Sequence, residues 1–180
     1  MKAKKIVEVL LRKLPQDATL VIDNLSRLGE YLVSYLEQQS GHKPLQIQDW
    51  NFFVMYLREF MDLISQHSAK CNVIVIAHEQ VYKDELTGAI ERTIFLPTSM
   101  RHRVPSVVGE FWYLKADVKG VGSARKQVRI LQNIPDRVTA CGSRSWMPDI
   151  EEPTYEKMKP YLEKALGRTL PPATWTPKEG

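Results

Sequence analysis

Two short, continuously apolar runs stand out along the first half of this 180-residue chain. Residues 18–23 contain Thr19-Leu20-Val21-Ile22-Asp23, and residues 72–78 read Asn72-Val73-Ile74-Val75-Ile76-Ala77-His78. Runs of this length without alternation predict fully buried strands of a parallel sheet. Around them the apolar spacing changes to three and four. Residues 3–14 set Ile6, Val7, Leu10, Leu11 and Leu14 on one helical face, and Pro15 ends the segment. A second helix fits 25–38, with Leu28, Tyr31, Leu32, Tyr35 and Leu36 as its stripe. Ser40 to Gln48 is a polar loop. Asp49 is expected to cap a long helix over 50–67, whose stripe is Trp50, Phe53, Val54, Leu57, Phe60, Met61 and Ile64. The order strand, helices, strand predicts a right-handed crossover.

After His78 the pattern shortens. Gln80–Lys83 and Glu91–Leu96 flank Leu86-Thr87-Gly88 and predict a hairpin. Residues 101–109 form a short helix or irregular turn. Glu110–Asp117 and Lys126–Gln132 read as strands around a flexible Lys119-Gly120-Val121-Gly122-Ser123 loop, with a further strand near Arg137–Cys141. Pro153 opens a final helix to about Leu166, closed by Gly167. These elements make one α/β domain over residues 1–167. A proline-bearing tail over 168–180 is expected to be extended or disordered. The chain shows no internal repeat.

Composition narrows the class. Apolar residues make up 43% and charged residues 26%, which is ordinary for a globular domain of this length. The net charge of +4 is compatible with nucleic acid without requiring it. Cys71 and Cys141 lie far apart with no C-x-x-C spacing, which fits reduced thiols and a cytosolic setting. A cleavable signal is not expected, and no apolar run approaches the length needed to span a bilayer.

The chemistry-bearing candidates sit at the ends of the apolar runs. An apolar strand ending in an aspartate is what a Walker B strand looks like. A carboxylate at that rim, here Asp23, can hold magnesium beside a nucleotide's phosphates. The plainer alternative is a strand-end aspartate capping the helix that starts at Leu25, and the pattern is short. His78 and Glu79 end the second run and would share a rim with Asp23. There an imidazole can sense a terminal phosphate and a carboxylate can orient a water, unless both are simply satisfied strand ends. Arg144, in Cys141-Gly142-Ser143-Arg144, is an exposed-loop guanidinium able to reach phosphate oxygens, or a solvated surface arginine. The cations Arg101, His102, Arg103, Lys115, Lys119, Arg125, Lys126, Arg129 and Arg137 form a basic region that could track a phosphate backbone; a solvated charged face is the alternative. Gly120-Val121-Gly122 is not a phosphate loop, because no G-K-[ST] follows. Zinc-ligand spacing and a G-x-S-x-G elbow are also missing.

In order and spacing, Leu20-Val21-Ile22-Asp23-Asn24-Leu25-Ser26-Arg27-Leu28, the Trp50 helix, Asn72-Val73-Ile74-Val75-Ile76-Ala77-His78-Glu79, the Pro97–Gly109 segment and Arg144 before Pro148 resemble phage NTP-binding proteins of the RecA-like P-loop ATPase superfamily. The resemblance spans about residues 15–165. It implies a RecA-like core with a mainly parallel sheet flanked by helices, and a C-terminal antiparallel hairpin extension. It also implies ATP and Mg2+ as cofactors. Asp23 would be the magnesium acid with Asn24 beside it at the nucleotide, His78 the sensor, Glu79 its neighbour, and Arg144 a finger acting on a neighbouring subunit. Relatives carry K-x-R there; Gly142 stands at the lysine position. Single-stranded DNA is the implied partner, through Arg101, Arg103, Lys119, Arg125 and Lys126. A homo-oligomer or partner subunit and a cytoplasmic setting in a phage-infected or prophage-carrying bacterium are implied as well.

One departure matters. The family opens with a strand, a G-x-x-x-x-G-K-[ST] loop and a helix. No such loop occurs in the 22 residues before Asp23, and a βαβ unit needs roughly 30 residues or more. Without the loop's amides and lysine, this chain is expected to bind nucleotide weakly and hydrolyse it poorly. Three readings stay open: a DNA- or partner-binding remnant or fragment of a recombination ATPase, an ATPase whose phosphate loop comes from another chain or further residues, and a non-enzymatic scaffold. The lost unit would leave a sheet edge or groove, expected to be filled by the first helix or a second copy.

Overall fold

A computed structural model describes residues 2–83, 85–97 and 99–172. Backbone contacts divide the chain into two compact units: Met1–Tyr82 with Arg92–Val108, and Lys83–Glu91 with the chain from Gly109 onward.

The first unit begins with α1 (Lys2–Lys13), β1 (Thr19–Asp23), α2 (Leu25–Ser40), α3 (Ile47–Gln66) and β2 (Asn72–Ile76). The two apolar runs do pair in parallel, with Val21 opposite Ile74 and Asp23 opposite Ile76. Burial on both faces does not follow. Leu20 and Val73 pack with Val7, Leu14 and the buried Leu11, Leu63 and Cys71, so α1 and α3 cover one face. On the alternate positions Val21 is 52% exposed, and Ile74 and Ile76 are each 42% exposed. α1 thus packs on one face of the strand pair, and among the described residues the opposite face stays open.

Phe53, Leu57 and Phe60 of α3 and Leu25 and Leu32 of α2 are fully buried. Gly29 permits the close approach of α2, because a Cβ there would lie 3.0 Å from Leu96 Cδ2. The long helix starts three residues earlier than its apolar stripe predicts. Asp49 is not the N-cap, which is Gln46; it is the third residue of the helix and caps from there, its Oδ2 accepting the Gln46 N–H at 2.9 Å and meeting His42 Nδ1 at 2.8 Å. These bonds, the Gln46 amide first, hold the Asp49 carboxyl below its ordinary value. β3 (Glu79–Lys83) and β4 (Ile90–Ile94) pair as the predicted hairpin, and α4 (Met100–Val107) buries Met100 and Val104.

The second unit holds β5 (Glu110–Phe111), β6 (Tyr113–Lys119), β7 (Lys126–Gln132), β8 (Gly142–Ser143), β9 (Ile150–Glu151) and α5 (Tyr155–Leu166). β6 and β7 form the expected antiparallel ladder, from Tyr113 opposite Gln132 to Lys119 opposite Lys126. β9 adds to β7, and β8 pairs with β5. Leu131, Met147 and Ile150 make the core, against Trp112, Met158, Tyr161 and Leu162. The strand expected at 137–141 does not form. Asp136 Oδ1 accepts the N–H groups of Val138 at 2.7 Å and Thr139 at 2.6 Å, which removes those donors from any ladder. Thr154 caps α5 through the Lys157 N–H, and Gly167 ends it at φ +64. Beyond it Leu170 is buried and donates its N–H to Glu163 Oε1 at 2.8 Å, so residues 168–172 are ordered against α5. The rest of the expected tail lies outside the described residues.

The architecture is mixed α/β with small sheets, and among the described residues the parallel pairing shown is that of β1 with β2. No helix among the described residues is long and apolar enough to cross a membrane.

Candidate functional site

The rim at the carboxyl ends of β1 and β2 is assembled by the first turn of α2. Asn24 is the N-cap of α2, and its Oδ1 accepts the Arg27 N–H at 2.7 Å. That bond fixes which end of the amide faces away, and Nδ2 meets His78 Nε2 at 3.0 Å. An amide NH2 only donates, so Nε2 is the acceptor in this bond. The His78 N–H in turn donates to Ser26 Oγ at 2.9 Å. Ser26 is 1% exposed. Two hydrogen bonds therefore tie the residues just after β2 to the helix that follows β1.

Capping thus falls to Asn24 and not to Asp23. The Asp23 carboxylate is exposed and has no hydrogen bond or ion pair among the described residues. Glu79 opens β3 and faces Arg92, whose Nη1 lies 3.5 Å from its Oε1. Asp23, Asn24, His78 and Glu79 all belong to the first unit, as do Arg101 and Arg103 on α4. The Arg101 guanidinium stands 5.1 Å from the centre of the Tyr82 ring.

The remaining candidates fall in the second unit. Arg144 follows β8 and is exposed, with its N–H on Gly109 O at 3.2 Å. Lys119 pairs with Glu151, which holds its ammonium above the ordinary lysine value. Arg125 and Lys126 are exposed at the end of the β6–β7 hairpin. The proposed catalytic set and the proposed nucleic-acid set are therefore each divided between two units.

Sequence reasoning passed over Ser26 and Arg92. Both partner a predicted residue through the tertiary fold, and no local pattern announces them.

No group of three His, Cys, Asp or Glu side chains among the described residues could hold a metal ion. A lone exposed carboxylate suits magnesium only when phosphate oxygens and waters complete the octahedron, as they commonly do for that ion. Asp23 fits that requirement. The phosphate-gripping half does not fit, because the 180 residues contain no G-x-x-x-x-G-K-[ST].

A parallel strand pair carrying an acid and an imidazole at one rim belongs to the class of α/β domains that take ligands at strand ends. A family model described as AAA domain matches residues 3–144, and the chain belongs to that family. No curated protein and no solved structure matches the chain.

Proposed function

We propose that this chain supplies the acid side of an AAA-type nucleotide site, arranged in the RecA-like manner. Asp23 takes the magnesium of Mg-ATP through water, and Asn24 and His78 shape the rim beside it. Bound magnesium would neutralise phosphate charge and orient the nucleotide. What the chain's own residues do is narrower: they present one exposed carboxylate and hold the His78 imidazole on the Asn24 amide. The carrying observation is that Asn24 caps α2 and bonds His78, which leaves Asp23 unpaired.

The phosphate cradle comes from another segment or another chain. By itself this chain binds Mg-ATP weakly, with Kd of about 1 mM or higher, and turns it over poorly. The exposed Val21, Ile74 and Ile76 favour a covering partner subunit or second copy, since parallel sheets occur almost only with both faces covered. We place the wider role in phage-type DNA recombination, with Glu79 and Arg144 as contributors to catalysis once the site is complete. Single-stranded DNA is the macromolecular ligand, with Arg101, Arg103, Lys119, Arg125 and Lys126 on its backbone. The support is the basic region and the order of sequence motifs from Leu20 to Arg144.

Calorimetric titration of Mg-ATP into wild type and Asp23→Asn tests the nucleotide part. Weak binding by wild type that needs magnesium and disappears in Asp23→Asn is expected. Equal heats from both proteins would refute it.

A further inference from the structure

β6 is the outer strand of its sheet: β7 pairs with it on one side, and no strand among the described residues pairs with it on the other. An open ladder of this kind is a template for another strand. Natural edges are guarded by proline, by a bulge or by lysine. β6 has no proline, and its register on β7 runs unbroken from Tyr113 to Lys119. Lysine is the guard that remains, and here Lys115 stands two residues from Asp117 on the same face.

Both faces of β6 end without a partner for what they carry. Leu114 lies opposite Leu131 of the core, so Leu114, Ala116 and Val118 carry that face outward to the edge. There the face meets water: Leu114 is 60% exposed, Val118 is 59% exposed, and Ala116 between them is exposed. On the other face Lys115 Nζ donates to the neutral Gln132 Oε1 at 2.9 Å, and Asp117 Oδ1 accepts the N–H of its neighbour Val118 at 2.8 Å. Neither charge has an ion pair among the described residues.

The order of these side chains selects the partner. Two copies related by a two-fold axis normal to the sheet pair antiparallel, like face beside like face, so the axis passes through a residue. Charge decides which residue. An axis at Lys115 sets that lysine against its own copy. An axis at Asp117 sets the aspartate against its own copy and Lys115 against the partner's Lys119. An axis at Ala116 sets Lys115 against the partner's Asp117 on both sides, Leu114 against the partner's Val118 on both sides, and the small Ala116 against itself. Opposite charges and apolar pairs that face each other stabilise a ladder, and like charges weaken it. Leu114-Lys115-Ala116-Asp117-Val118 is thus its own antiparallel complement, which an unrelated strand would match only by chance.

We propose that the outer edge of β6 is a homodimer interface, in which Leu114–Val118 of two chains pair antiparallel about Ala116 and join the two sheets into one. The interface lies wholly in the second unit and does not depend on the nucleotide rim.

Sedimentation velocity of the full chain over a concentration series tests it. Wild type should dimerise. Lys115→Glu and Asp117→Lys each put like charges at both contacts, so each alone should weaken dimerisation about 10-fold. An equal mixture of the two variants should recover it, because every contact then holds one charge of each sign. The double variant Lys115→Glu with Asp117→Lys should recover it alone. Recovery separates a lost contact from a damaged fold. If Lys115→Glu melts lower through loss of its Gln132 bond, Asp117→Lys and the double variant carry the comparison. A wild type that stays monomeric throughout, a dimer indifferent to both substitutions, or charge swaps that fail to recover it would each overturn the proposal.

Discussion

Asn24 donates its side-chain amide to His78 across 3.0 Å, and this bond joins the residues that follow two parallel strands. The same amide caps α2 through its oxygen, so one small side chain both sets a helix start and holds an imidazole. It also relieves Asp23 of any capping duty. The rim here is a by-product of ordinary helix-start chemistry, with the exposed Asp23 carboxylate left over.

Asn24→Ala should therefore act on the fold first. Loss of the cap and of the His78 bond should lower unfolding free energy by about 1–2 kcal/mol. Asn24→Ser keeps a capping oxygen and should lose less. Urea denaturation of both variants checks the order; equal losses would mean that the cap contributes nothing.

Asp23→Asn should behave in the opposite way. The carboxylate is exposed and has no partner among the described residues, so stability should stay within about 0.5 kcal/mol of wild type. A large drop in Tm would show that Asp23 is structural, and its assignment to magnesium would fall.

Asp136 gives the second unit a pH signature. N–H groups of Thr139 and Val138, with the Gln132 amide, stabilise its charged form and lower its carboxyl to about 2 from 3.8. A depressed folded value stabilises the fold above the unfolded value and loses that contribution as pH falls through the folded one. Asp136→Ala should be less stable than wild type at neutral pH, and the two should converge between pH 4 and pH 2. Thermal melts across that range decide it; a gap that persists unchanged at pH 2 would contradict the assigned role.

Much of this was legible in the chain because strong local patterns decide local structure. The runs at Leu20–Ile22 and Val73–Ile76 announce strands, and the stripe through Phe53, Leu57 and Phe60 announces a buried helix face. What stayed hidden depends on competition between neighbours. Asp23 and Asn24 are both good caps, and sequence does not say which one turns toward the Arg27 N–H. Arg137–Cys141 reads as a strand until Asp136 takes its first donors. Apolar residues at Val21, Ile74 and Ile76 look buried because periodicity records hydrophobicity, and whether anything covers a face is a matter of the elements present.

Packing in the first unit rests on the α2–α3 contact. Phe53 is wholly buried, and Phe53→Ala should cost about 3–5 kcal/mol through lost burial and the cavity it leaves. Guanidinium melts measure this; a loss under about 1 kcal/mol would place Phe53 outside the core.

The most direct test of the central claim is a Mg-ATP titration followed by backbone amide NMR. The account predicts magnesium-dependent shifts concentrated at Asp23–Arg27 and His78–Glu79, absent in Asp23→Asn. Shifts that arise without magnesium, or that persist in Asp23→Asn or centre elsewhere in the chain, would contradict it.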